Sequence, residues 1–150
     1  MILPQTAEYA LRAVIHLASR GTDGGARAHT LADVAGVPRN YLAKTLHVLA
    51  RAGVLRSTRG PLGGFQLARP ASETTVAQVV APFVDTVGRR CLLQDRPCSA
   101  DTACEVHVRW SPVARELHAF FERTTIADLV AEPGRRDAPW QHPSPHSRSS

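Results

Sequence analysis

At 150 residues, with 43% hydrophobic and 21% charged side chains, the chain has the size and composition of one globular domain, or one small domain with an accessory element, and not of a disordered polymer. Its formal charge of +5 is uneven: residues 1–70 carry 9 basic and 3 acidic groups, residues 71–150 carry 9 and 10, and no acid lies between Asp33 and Glu73. No apolar run approaches the ~20 residues of a membrane span, and Met1-Ile2-Leu3-Pro4-Gln5 lacks a basic region leading into an apolar one, so the expected location is the cytoplasm, with no membrane partner.

The first predicted element is a helix from about Thr6 to Arg20. Ala7, Ala10, Leu11, Val14, Leu17 and Ala18 follow helical spacing, and Gly21 supplies the stop. After the loop Thr22-Asp23-Gly24-Gly25, Thr30 is expected to cap a short helix, with Asp33 as its capping-box partner and Leu31, Val34 and Ala35 as its apolar face. Gly36-Val37-Pro38 breaks the chain. A third helix then runs from about Arg39 to Ala52, stopped by Gly53. Its inward stripe is Leu42, Leu46 and Leu49; its other face shows Arg39, Asn40, Tyr41, Lys44, His47 and Arg51.

Helix, short break, helix is the spacing of a helix-turn-helix. Val54 to Thr58 reads as a strand, Arg59-Gly60-Pro61-Leu62-Gly63-Gly64 as a turn, and Phe65 to Ala68 as the return strand. A hairpin directly after the second helix of such a unit makes it a winged helix-turn-helix. A fourth helix opens near Thr75 and should end or kink at Pro82.

Residues 85–103 read as a polar loop, and a long helix is expected from near Cys104. In it Val106, Trp110, Val113, Leu117, Phe120 and Thr124 step by 4, 3, 4, 3 and 4, a heptad seam suited to a helix of a second subunit, with Pro112 as a local conflict. Thr125 to Val130 forms a short capped helix, and a polar tail rich in Pro, His, Ser and Arg, read as disordered, follows. The expected fold is mainly α with a small β-hairpin wing: a winged helix-turn-helix over 1–84, a cysteine-bearing loop over 85–104, a dimerisation helix and short terminal helix over 105–131, and a tail over 132–150.

Two sets of side chains carry chemistry. The basic groups of the acid-free stretch point to nucleic acid before a membrane surface. Arg39, Asn40, Tyr41 and Lys44 occupy the first turns of the third helix, where base edges are met in a major groove; arginine suits guanine and asparagine suits adenine. Tyr41 suits a phosphate or the second helix equally. Arg51 and Arg56 suit phosphates, and Arg59 at the wing suits a narrow minor groove. The second set is Cys91, Cys98 and Cys104, followed by His107. Three thiols within 14 residues in a reducing compartment argue for metal or redox chemistry rather than a disulfide framework. Such soft ligands suit an iron–sulfur cluster, zinc or cuprous ion. No Ser/His/Asp set, His-Glu-x-x-His helix or phosphate-binding glycine loop occurs, so neither an enzyme nor a small-molecule substrate is expected.

Several segments have a recognisable cast: Tyr9-Ala10-Leu11-Arg12-Ala13, Val37-Pro38-Arg39-Asn40-Tyr41-Leu42, Arg51-Ala52-Gly53, Arg59-Gly60-Pro61-x-Gly63-Gly64, the three cysteines, and Thr125-Ile126-Ala127-Asp128-Leu129-Val130. In this order, over about residues 1–131, they resemble the Rrf-type family of bacterial winged-helix regulators, whose subgroups include IscR, NsrR and RirA. The resemblance implies a cytoplasmic homodimer, paired along Val106, Trp110, Val113, Leu117 and Phe120, that binds palindromic double-stranded operator DNA as a repressor. It also implies an iron–sulfur cluster on Cys91, Cys98 and Cys104 that senses nitric oxide, redox state or iron status. In the IscR subgroup a histidine at the position of His107 completes a 2Fe–2S site. In the NsrR subgroup an acidic residue donated by the other subunit, here matched by Glu8, completes a 4Fe–4S site. The six residues between Cys91 and Cys98 exceed the family's usual spacing. The competing expectation is a cluster-free regulator that uses the cysteines as a thiol redox switch or a structural zinc site.

Overall fold

The computed structural model describes residues 3–21, 25–61, 63–84, 93, 101 and 104–131. The elements are α1 (Gln5–Ser19), α2 (Ala28–Ala35), α3 (Arg39–Arg51), β1 (Leu55–Thr58), β2 (Gly64–Leu67), α4 (Val76–Val80), α5 (His107–Arg123) and α6 (Ile126–Ala131). The fold is mainly helical with a two-stranded antiparallel hairpin, as the periodicities imply.

Helix α1 is the centre of the molecule. Its buried face is Ala7, Tyr9, Ala10, Ala13, Val14 and Leu17. Alanine at three of these positions lets neighbouring helices approach closely, and α1 touches α2, α3, α4 and α6. Against it α3 buries Leu42, Leu46 and Leu49, each fully inaccessible. Leu31, Ala32 and Ala35 close the core from α2, Val76, Val79 and Val80 from α4, and Ile126 from α6.

Helix α2 starts earlier than its composition suggests. Ala26 pairs with Phe65 of the hairpin through two backbone hydrogen bonds of 3.0 and 2.9 Å. That pairing sets where the chain enters the helix, so Arg27 becomes the N-cap residue and Thr30 falls inside α2. The expected Thr30–Asp33 capping box therefore does not form. Gly36 ends α2 in the left-handed conformation (φ 66°), as the break required.

The hairpin pairs Leu55 with Leu67 and Ser57 with Phe65. Helix α4 opens with a capping box, Thr75 Oγ1 accepting from the Gln78 amide and Gln78 Oε1 accepting from the Thr75 amide. It gives way at Pro82 to a short 3-10 turn, Ala81–Phe83. Helix α6 repeats the device: Asp128 accepts from the Thr125 amide at 2.8 Å, and Thr125 Oγ1 accepts from the Asp128 amide at 3.1 Å. The two caps meet. Val76 donates to the Thr124 carbonyl at 2.9 Å, and Ile126 donates to the Thr74 carbonyl at 2.8 Å. This clasp ties the C-terminal helices to the winged unit.

Helix α5 begins at His107, three residues after Cys104, and continues through Pro112 to Arg123. The Thr22–Gly24 part of the first loop, most of 85–103 and the tail over 132–150 lie outside the described residues. No helix among the described residues is long and apolar enough to cross a membrane.

Removing the Thr125 hydroxyl strips one cap from the clasp. Thr125→Ala is expected to lower stability by about 1 kcal/mol in urea unfolding, with Thr125→Ser close to wild type; an unchanged midpoint for the alanine variant would contradict the role given to the cap. His16 supplies a pH dependence. Its Nε2 is buried without a hydrogen-bond partner, and burial, then the charge of Arg20, lowers its pKa below the ordinary 6.5. The neutral ring is thus the form the fold favours. Its contribution is complete above pH 6.5 and is lost as pH falls through the lowered folded value. Stability measured from pH 7.5 downward should decline less in His16→Gln than in wild type; parallel curves would refute this.

Candidate nucleic-acid interface and cysteine site

The burial of Leu42, Leu46 and Leu49 turns the opposite face of α3 to solvent. Asn40 and Lys44 are exposed there, and Arg39 and Tyr41 are exposed beside them on the first turns. His47 continues the face and packs its ring edge-to-face on Phe65 of β2 at 5.3 Å, joining α3 to the wing. Arg51 is also exposed, but 12 residues beyond Arg39, about 18 Å along the helix axis. Arg59 is exposed at the end of β1, at the wing turn. Arg56 lies on β1 across from Gln66, where it helps line a shallow cavity of about 260 Å³ with Leu17, Gly21 and Arg69. The structure therefore gathers Arg39, Asn40, Tyr41 and Lys44 into one patch and leaves Arg51 and Arg56 apart from it.

Four contacts at this patch and at the wing turn are not among the sequence expectations. Thr6 of α1 hydrogen-bonds the Tyr41 hydroxyl, and Tyr9 meets the Tyr41 ring edge-to-face at 5.8 Å. The N-terminal end of α1 therefore supports the start of α3. Arg27 donates to the Pro61 carbonyl, holding the wing turn against the residue that precedes α2. Asp33 takes the side chain of Arg39 in a two-point ion pair. Only the last had a legible signal: Asp33 is the one acid of the segment 28–51 and stands six residues before the arginine.

Of the cysteine cluster, Cys91 and Cys98 lie outside the described residues. Cys104 is half-buried in the turn ahead of α5, and its carbonyl accepts from the His107 amide at 2.9 Å. It stands just before the helix rather than in its first turn. Glu8 lies in the first turn of α1, with its carboxylate on Arg12 one turn later.

The predicted seam on α5 divides. Val113 and Phe120 are 54% and 52% exposed, with Val106 and Trp110 partly so, while Leu117 packs against the core beside the buried Ala114 and Phe121. Val108, outside the seam, is 78% exposed.

Residues 3–132 match the sequence profile of the Rrf2 family, described as iron-dependent transcriptional regulators. The chain belongs to the Rrf2 family. This Rrf2 chain is 38% identical over 133 residues to a protein of Aquifex aeolicus that bears the name of an HTH-type transcriptional regulator, covering 87% of this chain and 92% of the relative. It is 25% identical over 132 residues to the HTH-type transcriptional regulator IscR of Photobacterium profundum, covering 88% and 77%. Among solved structures, CymR, the global cysteine regulator of B. subtilis, superposes with a TM-score of 0.71 at 22% identity, over 85% of this chain and 95% of CymR. IscR of T. potens superposes with a TM-score of 0.67 at 21% identity, over 85% of each chain. These superpositions establish the winged-helix fold. The family and its named relatives are transcription regulators, and so is this Rrf2 protein, which is not an enzyme.

The wing depends on close backbone approach. A Cβ on Gly64 would meet the Ala26 carbonyl oxygen at 2.7 Å. Gly64→Ala should part the hairpin from Ala26, lower stability by about 1–3 kcal/mol and accelerate amide exchange at Ala26 and Phe65. Wild-type exchange rates at those two amides would contradict this account of the wing.

Proposed function

We propose that this Rrf2 protein is a homodimeric repressor that reads a palindromic operator with the N-terminal turns of α3. The observation that carries the reading is the exposed patch of Arg39, Asn40, Tyr41 and Lys44, with a wing bearing Arg59, in a chain segment (28–51) whose one acid, Asp33, is engaged by Arg39. In this reading Arg39 and Asn40 meet base edges, Lys44 and Tyr41 meet bases or phosphate, Arg59 enters the minor groove, and Arg51 and Arg56 touch phosphate further out. Val113 and Phe120, flanked by Val106 and Trp110, supply the apolar surface that a second copy covers, and Leu117 backs that surface from the core.

The donor set suits an iron–sulfur cluster. Cys91, Cys98 and Cys104 supply three thiolates, and Cys104 stands half-buried ahead of α5, where protein shields a sulfur without closing it off. His107, the first residue of α5, and Glu8 of the partner subunit are the two candidates for the fourth position. A cluster so held, of 2Fe–2S or 4Fe–4S type, supplies a group that nitric oxide, oxidants or iron scarcity alter. The protein's own part is to tie that site to the DNA face. Glu8 is two residues from Thr6, which holds Tyr41 at the start of α3, and Cys104 leads into α5, which the clasp joins to α4. The Glu8 carboxylate rests on Arg12 through Oε1.

Anaerobic native mass spectrometry of the full chain, with operator titrations on the same preparation, tests this reading. The expected species is a coloured dimer carrying a cluster on each subunit, lost when Cys91, Cys98 and Cys104 are replaced by serine. Operator affinity should fall with salt with a log–log slope of about −4, from Arg51 and Arg56 on each of two subunits. A colourless protein with stoichiometric zinc would sink the cluster in favour of the zinc alternative; salt-independent binding would sink the phosphate contacts.

A further inference from the structure

Asp33 is the one acid of the helix-turn-helix segment, and α2 itself does not account for it. It lies in the last turn of α2, where the helix dipole disfavours a negative charge, and it makes no cap. Instead its carboxylate receives Arg39 at two points: Nε donates to Oδ1 at 3.1 Å and Nη2 donates to Oδ2 at 3.0 Å. The pair spans the turn at Gly36, Val37 and Pro38. Both side chains are largely exposed, 65% for Arg39 and 55% for Asp33, and an exposed pair contributes little to folding.

What the pair does control is direction. A guanidinium has five N–H donors. Asp33 engages two of them along the Nε–Nη2 edge, which leaves both Nη1 hydrogens and one on Nη2; one Nη1 hydrogen and the remaining Nη2 hydrogen lie side by side on the outer edge. That outer edge is a two-donor fork of the kind that engages O6 and N7 of guanine. The carboxylate also fixes the plane of the fork, and its charge opposes approach of a phosphate to the same arginine.

We propose that Asp33 is a positioning residue for sequence reading: it holds Arg39 so that the outer edge of the guanidinium meets a guanine in the major groove. This rests on the DNA-reading role of α3 proposed above. The test is selection from a random double-stranded DNA library by the full chain, followed by affinities for the selected duplex, for single-base variants of it and for a scrambled duplex. Wild type should select a guanine at one position in each half-site, and Arg39→Ala should lose it. Asp33→Ala should lower discrimination at that same position about tenfold, while affinity for the scrambled duplex stays level or rises. Asp33→Asn, which keeps one acceptor, should fall between. Discrimination is a ratio taken on one preparation, so partial unfolding of a variant cancels. Unaltered discrimination in Asp33→Ala would overturn the proposal. So would a sharper preference, which would make Asp33 a mask on Arg39. A wild-type protein that enriches no sequence would instead remove the DNA-reading role itself, so the two failures are distinct.

Discussion

The burial of Leu42, Leu46 and Leu49 against α1 is the constraint on which the rest of the structure depends. Each is fully inaccessible, and each such burial contributes roughly 1.5–3 kcal/mol. The exposed pair between Arg39 and Asp33 contributes at most about 1 kcal/mol. Apolar burial therefore sets the roll of α3 about its axis, and the polar contacts only trim side chains on the face that burial leaves outside. With the leucines inward, Asn40 and Lys44 turn to solvent, while Arg39, the first residue of α3, is held by Asp33, and Tyr41 by Thr6 and Tyr9 of α1.

Helix α1 is what makes that burial informative beyond α3. The same small-residue face that receives α3 also receives α4 and α6. The Thr74–Thr75 and Thr124–Thr125 clasp then links α4 to the end of α5 by backbone hydrogen bonds. A displacement at the start of α5, where Cys104 and His107 lie, meets a continuous packed path to the core beneath α3. Thr6 and Tyr41 offer a second, shorter link, from the N-terminal turn that holds Glu8 to the exposed patch.

Much of this was legible in the residues. Period 3.6 placed α1 and α3 within a residue or two, and the glycines at 21, 36 and 53 adopt the positive φ that the helix stops required. The hairpin followed from its turn chemistry. The failures have specific causes. Thr30 looked like a cap because a hydroxyl three residues before an acid usually is one, but a long-range backbone pairing at Ala26 started α2 earlier. The heptad on α5 could not reveal that Leu117 turns toward the core, because one stripe of apolar residues serves an internal and an external surface alike. The contact between Thr6 and Tyr41 spans 35 residues and leaves no local pattern. Two of the three cysteines lie outside the described residues, so the proposed cluster rests on donor chemistry and on kinship with the Rrf2 family.

The central claim is that the N-terminal turns of α3, with the wing, form the surface that meets DNA. Backbone amide shifts of the full chain during titration with a duplex that it binds address it most directly. The account predicts the largest perturbations at Arg39, Asn40, Tyr41 and Lys44, with a second set at Arg59 and Gly60. Perturbations confined to other surfaces, with the start of α3 silent, would contradict it.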